Sequence, residues 1–405
     1  MTTTAPVAPS SAGHPASGHP APARPVALTA GDIDLAGFAR ELDALKRDIR
    51  AAAGPQDLEH LGKIERWGRL CSAAGYATAW LGPNPLSALL ISQGRLTRWA
   101  MVAHHVSHRG YDHVPGVPEE RTSRHFATGP RRWRDWFDWI DPQAWNVEHN
   151  RLHHYRLGEL ADPDLVEANL DWLRTSGLPR PVRMAVIAFF ASTWKWTYYA
   201  PNTLRVLLNE EARREGGDAA PEEPRTLASM WKEPALWERC LLPYAGAHFV
   251  AMPLLFLPLG PVAASNVLLN SLMAEWLTNL HSFLVITTNH AGEDMYAFDT
   301  PVTEGKGEFY FRQVVGSTNF RTGSDLNDFL HGFLNYQIEH HVFPDMSMLQ
   351  YQRMQPAVKA LCERYGVPYV QESVFTRLRK TLAVMLGDAD MLRATPNEVA
   401  APSGA

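Results

Sequence analysis

The chain has 405 residues with 38 basic and 43 acidic side chains, a formal net charge of -5, and is 45% hydrophobic. That length is ample for one large domain, and a slightly acidic balance argues against general nucleic-acid binding. Cys71, Cys240 and Cys362 stand far apart with no C-x-x-C pair, which argues against a disulfide framework, thiolate zinc and iron–sulfur clusters and favours a reducing compartment.

Residues 1–30 contain six prolines and no apolar run long enough for a secretory signal. They read as a disordered tail, with His14 and His19 as solvated spectators. Helix-compatible stretches follow at 32–50, 165–173 and 350–365, and strand signals are sparse, so the expected class is all-α or nearly so. Apolar segments lie at 67–81, 86–105, 184–199, 241–259 and 262–288. Gly82-Pro83-Asn84-Pro85 separates the first two and Gly260-Pro261 the last two, so each pair reads as a helical hairpin. Arg95, Arg98, Lys195 and Glu275 interrupt these runs, and the mean hydropathy is -0.23, which excludes a purely embedded bundle. A membrane protein with a large polar cap is the reading; a soluble helical protein with buried helices is the alternative. One domain is expected over 31–390, with a flexible tail at 391–405.

Most of the 17 histidines fall in a few short stretches. In AHHVSHRGYDH, His104 and His108 are spaced i, i+4, which puts two imidazoles on one helical face as a shared metal requires. His105 and His113 point elsewhere on that register, although His108 and His113 form a competing pair. EHNRLHHYR repeats the geometry with His149 and His153, with His154 adjacent. NYQIEHHVFPD places Gln337, His340 and His341 at i, i+3, i+4, with Glu339 turned away. Three clusters with one helical logic point to a metal site. His60, His125, His248 and His331 have no partners at useful spacing and read as structural.

The words HHVSH (104–108), HNRLHH (149–154) and QIEHH (337–341) resemble the three histidine boxes of the membrane fatty acid desaturase family. FRQVVGSTNF (311–320), NYQIEHHVFPDMS (335–347) and ALCERYGVPY (360–369) resemble its bacterial acyl desaturases. The resemblance covers roughly residues 64–372. It implies a further ligand, His290 in TTNHAGED. Two positions depart from the common pattern: His105 stands where many members have Asp or Asn, and Gln337 stands where many have His. The glutamine matches the front-end and acyl-lipid branches.

The implied ligand set is His104, His108, His149, His153, His154, His290, His340 and His341. Eight imidazoles are too many for one ion, whereas two ions would each keep room for water or an oxygen ligand. Imidazole suits zinc, copper, nickel and iron alike. Two irons are assigned because the resemblance implies oxygen activation. Gln337 is expected as a ligand or an outer neighbour, and Glu148, Asn289, Asp112 and Glu339 as acceptors that fix imidazole tautomers. Trp276, Phe283 and Phe333 are expected walls of an acyl channel.

For the boxes to meet on one side of a bilayer, the chain crosses an even number of times between His154 and His290, where three apolar segments lie. The segment 184–199 ends in WKWTYYAP, suited to the interface, so it is read as not spanning. Four spanning helices in two hairpins remain. Arg121, Arg124, Arg131, Arg132 and Arg134 place the cap and the charged stretch 209–225 on the cytoplasmic side, in a bacterial inner membrane.

The resemblance implies oxygen-dependent desaturation of a fatty acyl chain held as acyl lipid, acyl-CoA or acyl carrier protein. The chain shows no G-x-G-x-x-G after a strand and no fused haem-binding motif. Electrons are therefore expected from a separate ferredoxin or b-type cytochrome with its reductase, and no nucleotide is expected to bind here. A hydroxylase on the same scaffold is the alternative enzyme, and a non-catalytic metal-binding membrane protein the alternative outside enzymology.

Overall fold

Two antiparallel helical hairpins form the frame on which the histidine boxes sit. The computed structural model describes residues 33–216, 225–303 and 305–394. The tail expected at 1–30 and residues 217–224 of the charged stretch lie outside the described residues.

In the first hairpin, helix Pro55–Ala79 begins with Pro55 and with Asp57, whose carboxylate accepts the Gly54 N–H at 3.0 Å. Its partner runs over 85–107. Asn84 caps that helix by accepting the Ser87 N–H at 2.7 Å, and Pro85 supplies a first turn that needs no donor. The helices approach closely at Gly68, Gly75 and Gly94. A side chain at Gly94 would collide with Ser72 and with the Gly68 carbonyl.

In the second hairpin, Pro234–Leu259 turns through Gly260, at φ 106°, into Pro261–Ile286. Such a φ favours glycine. Asn270 joins the hairpins: its side-chain oxygen accepts the Asn84 N–H at 2.9 Å and its amide donates to the Ala79 carbonyl at 2.8 Å.

Three of the four interrupting charges, Arg95, Lys195 and Glu275, pair inside this frame. Arg95 donates to Glu275 at 3.0 Å, and Glu275 also accepts from Trp139 at 2.6 Å and Tyr244 at 2.7 Å. Lys195 is fully buried against Asp138 at 2.7 Å. Buried charges persist only when paired in this way. Large apolar side chains point outward on both hairpins, including Leu81, Leu89, Leu254, Val262, Leu269 and Trp276.

The segment expected at 184–199 belongs to a longer helix over 180–216, which packs on Pro261–Ile286; the Trp194 indole donates to the Asn279 carbonyl at 3.0 Å. A cap covers the box side: Leu35–Ala51, Lys306–Val315, Met348–Tyr365 and Val374–Met385. Asp43 ties two of these helices by accepting from Lys306 at 2.7 Å and Tyr310 at 2.8 Å. Strands are few and short among the described residues. Tyr296–Phe298 pairs in parallel with Leu392–Ala394, and Asn319–Phe320 with Gln371–Glu372.

One expectation changes. Residues 392–394, placed in the flexible tail, form a paired strand, with Met391 buried beside it, because that strand closes the edge left by Tyr296–Phe298. Among the described residues, one helix passes as long and apolar enough to cross a membrane, Pro234–Leu259, with a mean hydropathy of 1.7. The other hairpin helices carry inward polar groups such as Arg95, Asn270, Glu275 and Asn279, which lower their averages.

Candidate metal centre

The first two boxes sit where a helix is locally wound as a π-helix, and the last lies on an ordinary α-helix. In helix 85–107 the stretch Thr97–Ala103 is π-helical and delivers His104 and His108 at the helix end. The second box lies on a helix over 142–156. Asp141 starts it by accepting the Gln143 and Ala144 N–H groups at 2.9 and 3.0 Å, with Pro142 at its first position. Asn146–His153 is again π-helical. The wide turn aligns residues five apart, whereas an α-turn aligns residues four apart.

That winding changes the grouping. The i, i+4 reading puts His149 with His153, but the structure sets His149 beside His154 and turns His153 to a different group. His104, His108, His149, His154 and His340 bring ligand nitrogens within 4.8 Å of one another, and His153, His290 and His341 do the same in a second set. The last box, on Gln337–Val342, is divided too, with His340 in one set and His341 in the other. His149 and His153 also converge with Asp164.

All eight histidines are buried. Burial, and then neighbouring imidazoles, hold His149, His154, His340 and His341 well below the usual histidine range, so they are neutral with lone pairs available near pH 7. Burial also opposes charge on His153, but Asp162, with a carboxylate oxygen 2.8 Å from Nδ1, raises it above that range. Buried ring nitrogens on His108, His149, His153, His154, His290 and His341 have no hydrogen-bond partner among the described residues. Unsatisfied buried groups are costly. Eight imidazoles in two sets, six of them with open ring nitrogens, fit metal ions.

The expected tautomer-fixing residues lie elsewhere. Asp112 accepts from the Ser123 backbone and hydroxyl, both at 2.7 Å. Glu339 accepts from Asn319 at 2.8 Å and Tyr369 at 2.7 Å, and Asn289 donates to the Val285 and Leu334 carbonyls. Glu148 is buried with no imidazole partner among the described residues. Its pKa is pushed well up by burial and by Asp164 and Asp162, and Asp164 is itself raised to about 6. The partners found are Asp162 on His153, Tyr351 at 3.1 Å from His340 Nδ1 and Gln313 at 3.2 Å from His341 Nδ1. They are far in sequence from their histidines or off any helical register. Gln313 alone lay in a quoted family word. Gln337 reaches the smaller set, with its amide nitrogen 3.0 Å from His290 Nε2.

Among the described residues, the other histidines singled out in the sequence stay outside. His105 is buried with Nδ1 2.6 Å from the Met101 carbonyl oxygen, and His113 pairs with Gln350 at 3.1 Å. His60 lies edge-on to Phe333, His125 meets Glu119 at 2.8 Å, His248 stacks near Tyr244, and His331 bonds the Asn327 carbonyl.

A cavity of about 360 Å³ opens onto His149, His153 and His290. Leu173, Val186, Ile187, Phe190, Trp194 and Ile286 line it, with the exposed Trp172 and Phe189 at its outer part. None of the expected walls takes part: Trp276 faces outward, Phe283 is in the core and Phe333 packs on His60. The signal for this cavity's lining was the apolar face of 184–199, assigned above to the interface alone.

The model of the family "Fatty acid desaturase" matches residues 78–373. The chain is 26% identical over 364 residues to the NADPH-dependent stearoyl-CoA 9-desaturase of Mycobacterium tuberculosis, covering 86% of this chain and 79% of that one. It is 24% identical over 320 residues to the acyl-lipid (8-3)-desaturase of Mortierella alpina, covering 74% and 60%, and 24% identical over 283 residues to the Delta(5) fatty acid desaturase A of Dictyostelium discoideum, covering 67% and 56%. Two imidazole sets beside an apolar cavity agree with that match over most of the chain: the protein belongs to the fatty acid desaturase family and is a fatty acid desaturase.

Proposed function

We propose that the two imidazole sets hold two iron ions and that the apolar cavity holds the acyl chain to be desaturated. The observation that carries this reading is the junction of the cavity with His149, His153 and His290, which draws on both sets. Two bound irons would supply dioxygen activation and removal of two hydrogens from neighbouring methylenes. The chain's own residues do the rest. Leu173, Ile187 and Phe190 exclude water and offer an aliphatic chain no polar handle, so depth in the cavity sets the position of attack. Asp162, Tyr351 and Gln313 hold the ring orientations of His153, His340 and His341.

Electrons come from a separate donor, a ferredoxin or b-type cytochrome with its reductase. The NADPH dependence named for the mycobacterial relative supports a nicotinamide as their source. Both hairpins insert in the membrane, with the box side cytoplasmic. The support is their pattern of charges paired inside and apolar residues outside. The eight histidines act as metal ligands within a domain that extends to residue 394. The test is iron analysis of the purified chain together with mass spectrometry of lipids from an expressing host. Two irons per chain and acyl chains lighter by two hydrogens are expected. A product heavier by one oxygen from labelled dioxygen, without a new double bond, would make it a hydroxylase.

A further inference from the structure

A second cavity, of about 600 Å³, shares no lining residue with the apolar one and contains none of the eight box histidines. Its walls come from helix Pro55–Ala79, helix 85–107, the segment 120–137 and helix Pro234–Leu259, so it lies between the two hairpins. Six arginines line it against three carboxylates. Arg69 and Arg121 meet Glu65, Arg131 meets Asp135 and Arg95 meets Glu275. Arg98 and Arg134 form no direct ion pair among the described residues, although Asp135, Asp138 and Glu65 lie within electrostatic reach of Arg98, and the Arg98 guanidinium donates to the Arg134 carbonyl. Toward the turn of the first hairpin the lining becomes apolar, with Tyr76, Ile91 and Met252.

Six arginines against three lining carboxylates, with two of the guanidinium groups in no ion pair, beside an apolar recess, call for an anion that carries a tail. Guanidinium suits phosphate through paired N–H donors, and basic pockets between membrane helices on the cytoplasmic side hold lipid headgroups. We propose that this cavity binds an anionic glycerophospholipid. The headgroup phosphate sits at Arg98 and Arg134, an acyl segment lies along Tyr76, Ile91 and Met252, and the lipid fills the gap between the hairpins. The proposal rests on the membrane reading above.

The test is native mass spectrometry of the detergent-purified full chain with equal phosphatidylglycerol and phosphatidylcholine. Phosphatidylglycerol adducts should dominate. Arg98→Gln and Arg134→Gln should each weaken that binding about fivefold, the scale of one basic residue at a lipid surface. Arg98→Lys should keep much of the preference. Met252→Trp, which leaves every charge in place, should also weaken it by filling the apolar end. Equal binding of both lipids, or unchanged binding in both glutamine variants, would overturn the proposal. So would displacement of the lipid by inorganic phosphate or free coenzyme A at similar concentration, since either would mark a site for a soluble anion. Membrane fractionation of the wild-type chain separates the two readings. A chain found outside the membrane fraction sinks the membrane reading, whereas a membrane-bound chain without lipid preference sinks only this site.

Discussion

The two imidazole sets are built differently. His104, His108, His149, His154 and His340 pack edge to face on one another, and Trp145 stacks on His149 with ring centroids 4.4 Å apart. The smaller set has only His153, His290 and His341 and draws on other side chains: Asp162 behind His153, Gln313 behind His341 and Gln337 beside His290. It also supplies two of the three histidines facing the apolar cavity. The crowded set has imidazoles to spare, whereas the sparse set relies on each ligand and its orientation. Loss of a single side chain should therefore cost more in the sparse set.

The strongest way to break this comparison is His290→Ala against His104→Ala. Removing one of three imidazoles should abolish turnover and lower bound iron to about one per chain, the loss of a ligand exceeding the 10–100-fold typical of an outer-shell change. His104→Ala should keep more metal because four imidazoles remain around that position. Iron content and donor-dependent product formation, measured on both variants, decide it. Equal metal loss would show that the sets are not unequal in this sense.

Asp162→Asn sharpens the same contrast without touching a ligand. An amide can still bond His153 but no longer stabilises its Nδ1–H with a charge, so affinity at the smaller set should fall by about 10–100-fold. Chelator competition read by iron release should show a biphasic curve with one labile and one retained metal. Gln337→Ala should impair turnover while leaving most iron bound, because a neutral amide beside His290 can steer without being required. Loss of half the iron would make Gln337 essential to one metal position.

The helical order, both hairpins and the eight histidines that converge were legible in the sequence. Periodicity and Gly-Pro punctuation report local backbone, and three histidine clusters are hard to produce by chance. The division of the site into two sets was not. It depends on π-helical winding over Asn146–His153, which moves His154 rather than His153 into line with His149, and nothing in residue type separates a wide turn from an ordinary one. The orienting partners were missed for a related reason. Glu148, Glu339 and Asn289 are neighbours in sequence, but a side chain next to a ligand on a helix points away from it, so the partners come from other segments. The expected acyl channel was assigned to residues near the boxes in sequence, whereas the cavity that meets the histidines takes much of its wall from helix 180–216, packed on Pro261–Ile286.

The smallest expected effect concerns chain position. Ile187 is buried and lines the cavity at a distance in sequence from every box histidine. An aliphatic chain has no polar group at mid-length, so only the shape of the cavity can decide which methylene lies beside His149, His153 and His290. Ile187→Trp adds volume to that wall without altering a polar contact. Metal content should stay at the wild-type level, since an isoleucine offers no ligand atom to a metal. Turnover should fall by less than about tenfold, the lower end of an outer-shell change. The product should change in kind: shorter acyl chains preferred, or a shifted double bond, read by mass spectrometry of cleaved lipid products. An unchanged double-bond position and chain preference, with normal iron, would mean that the acyl chain does not occupy this cavity, and the junction of the cavity with the two imidazole sets would then have to serve another role.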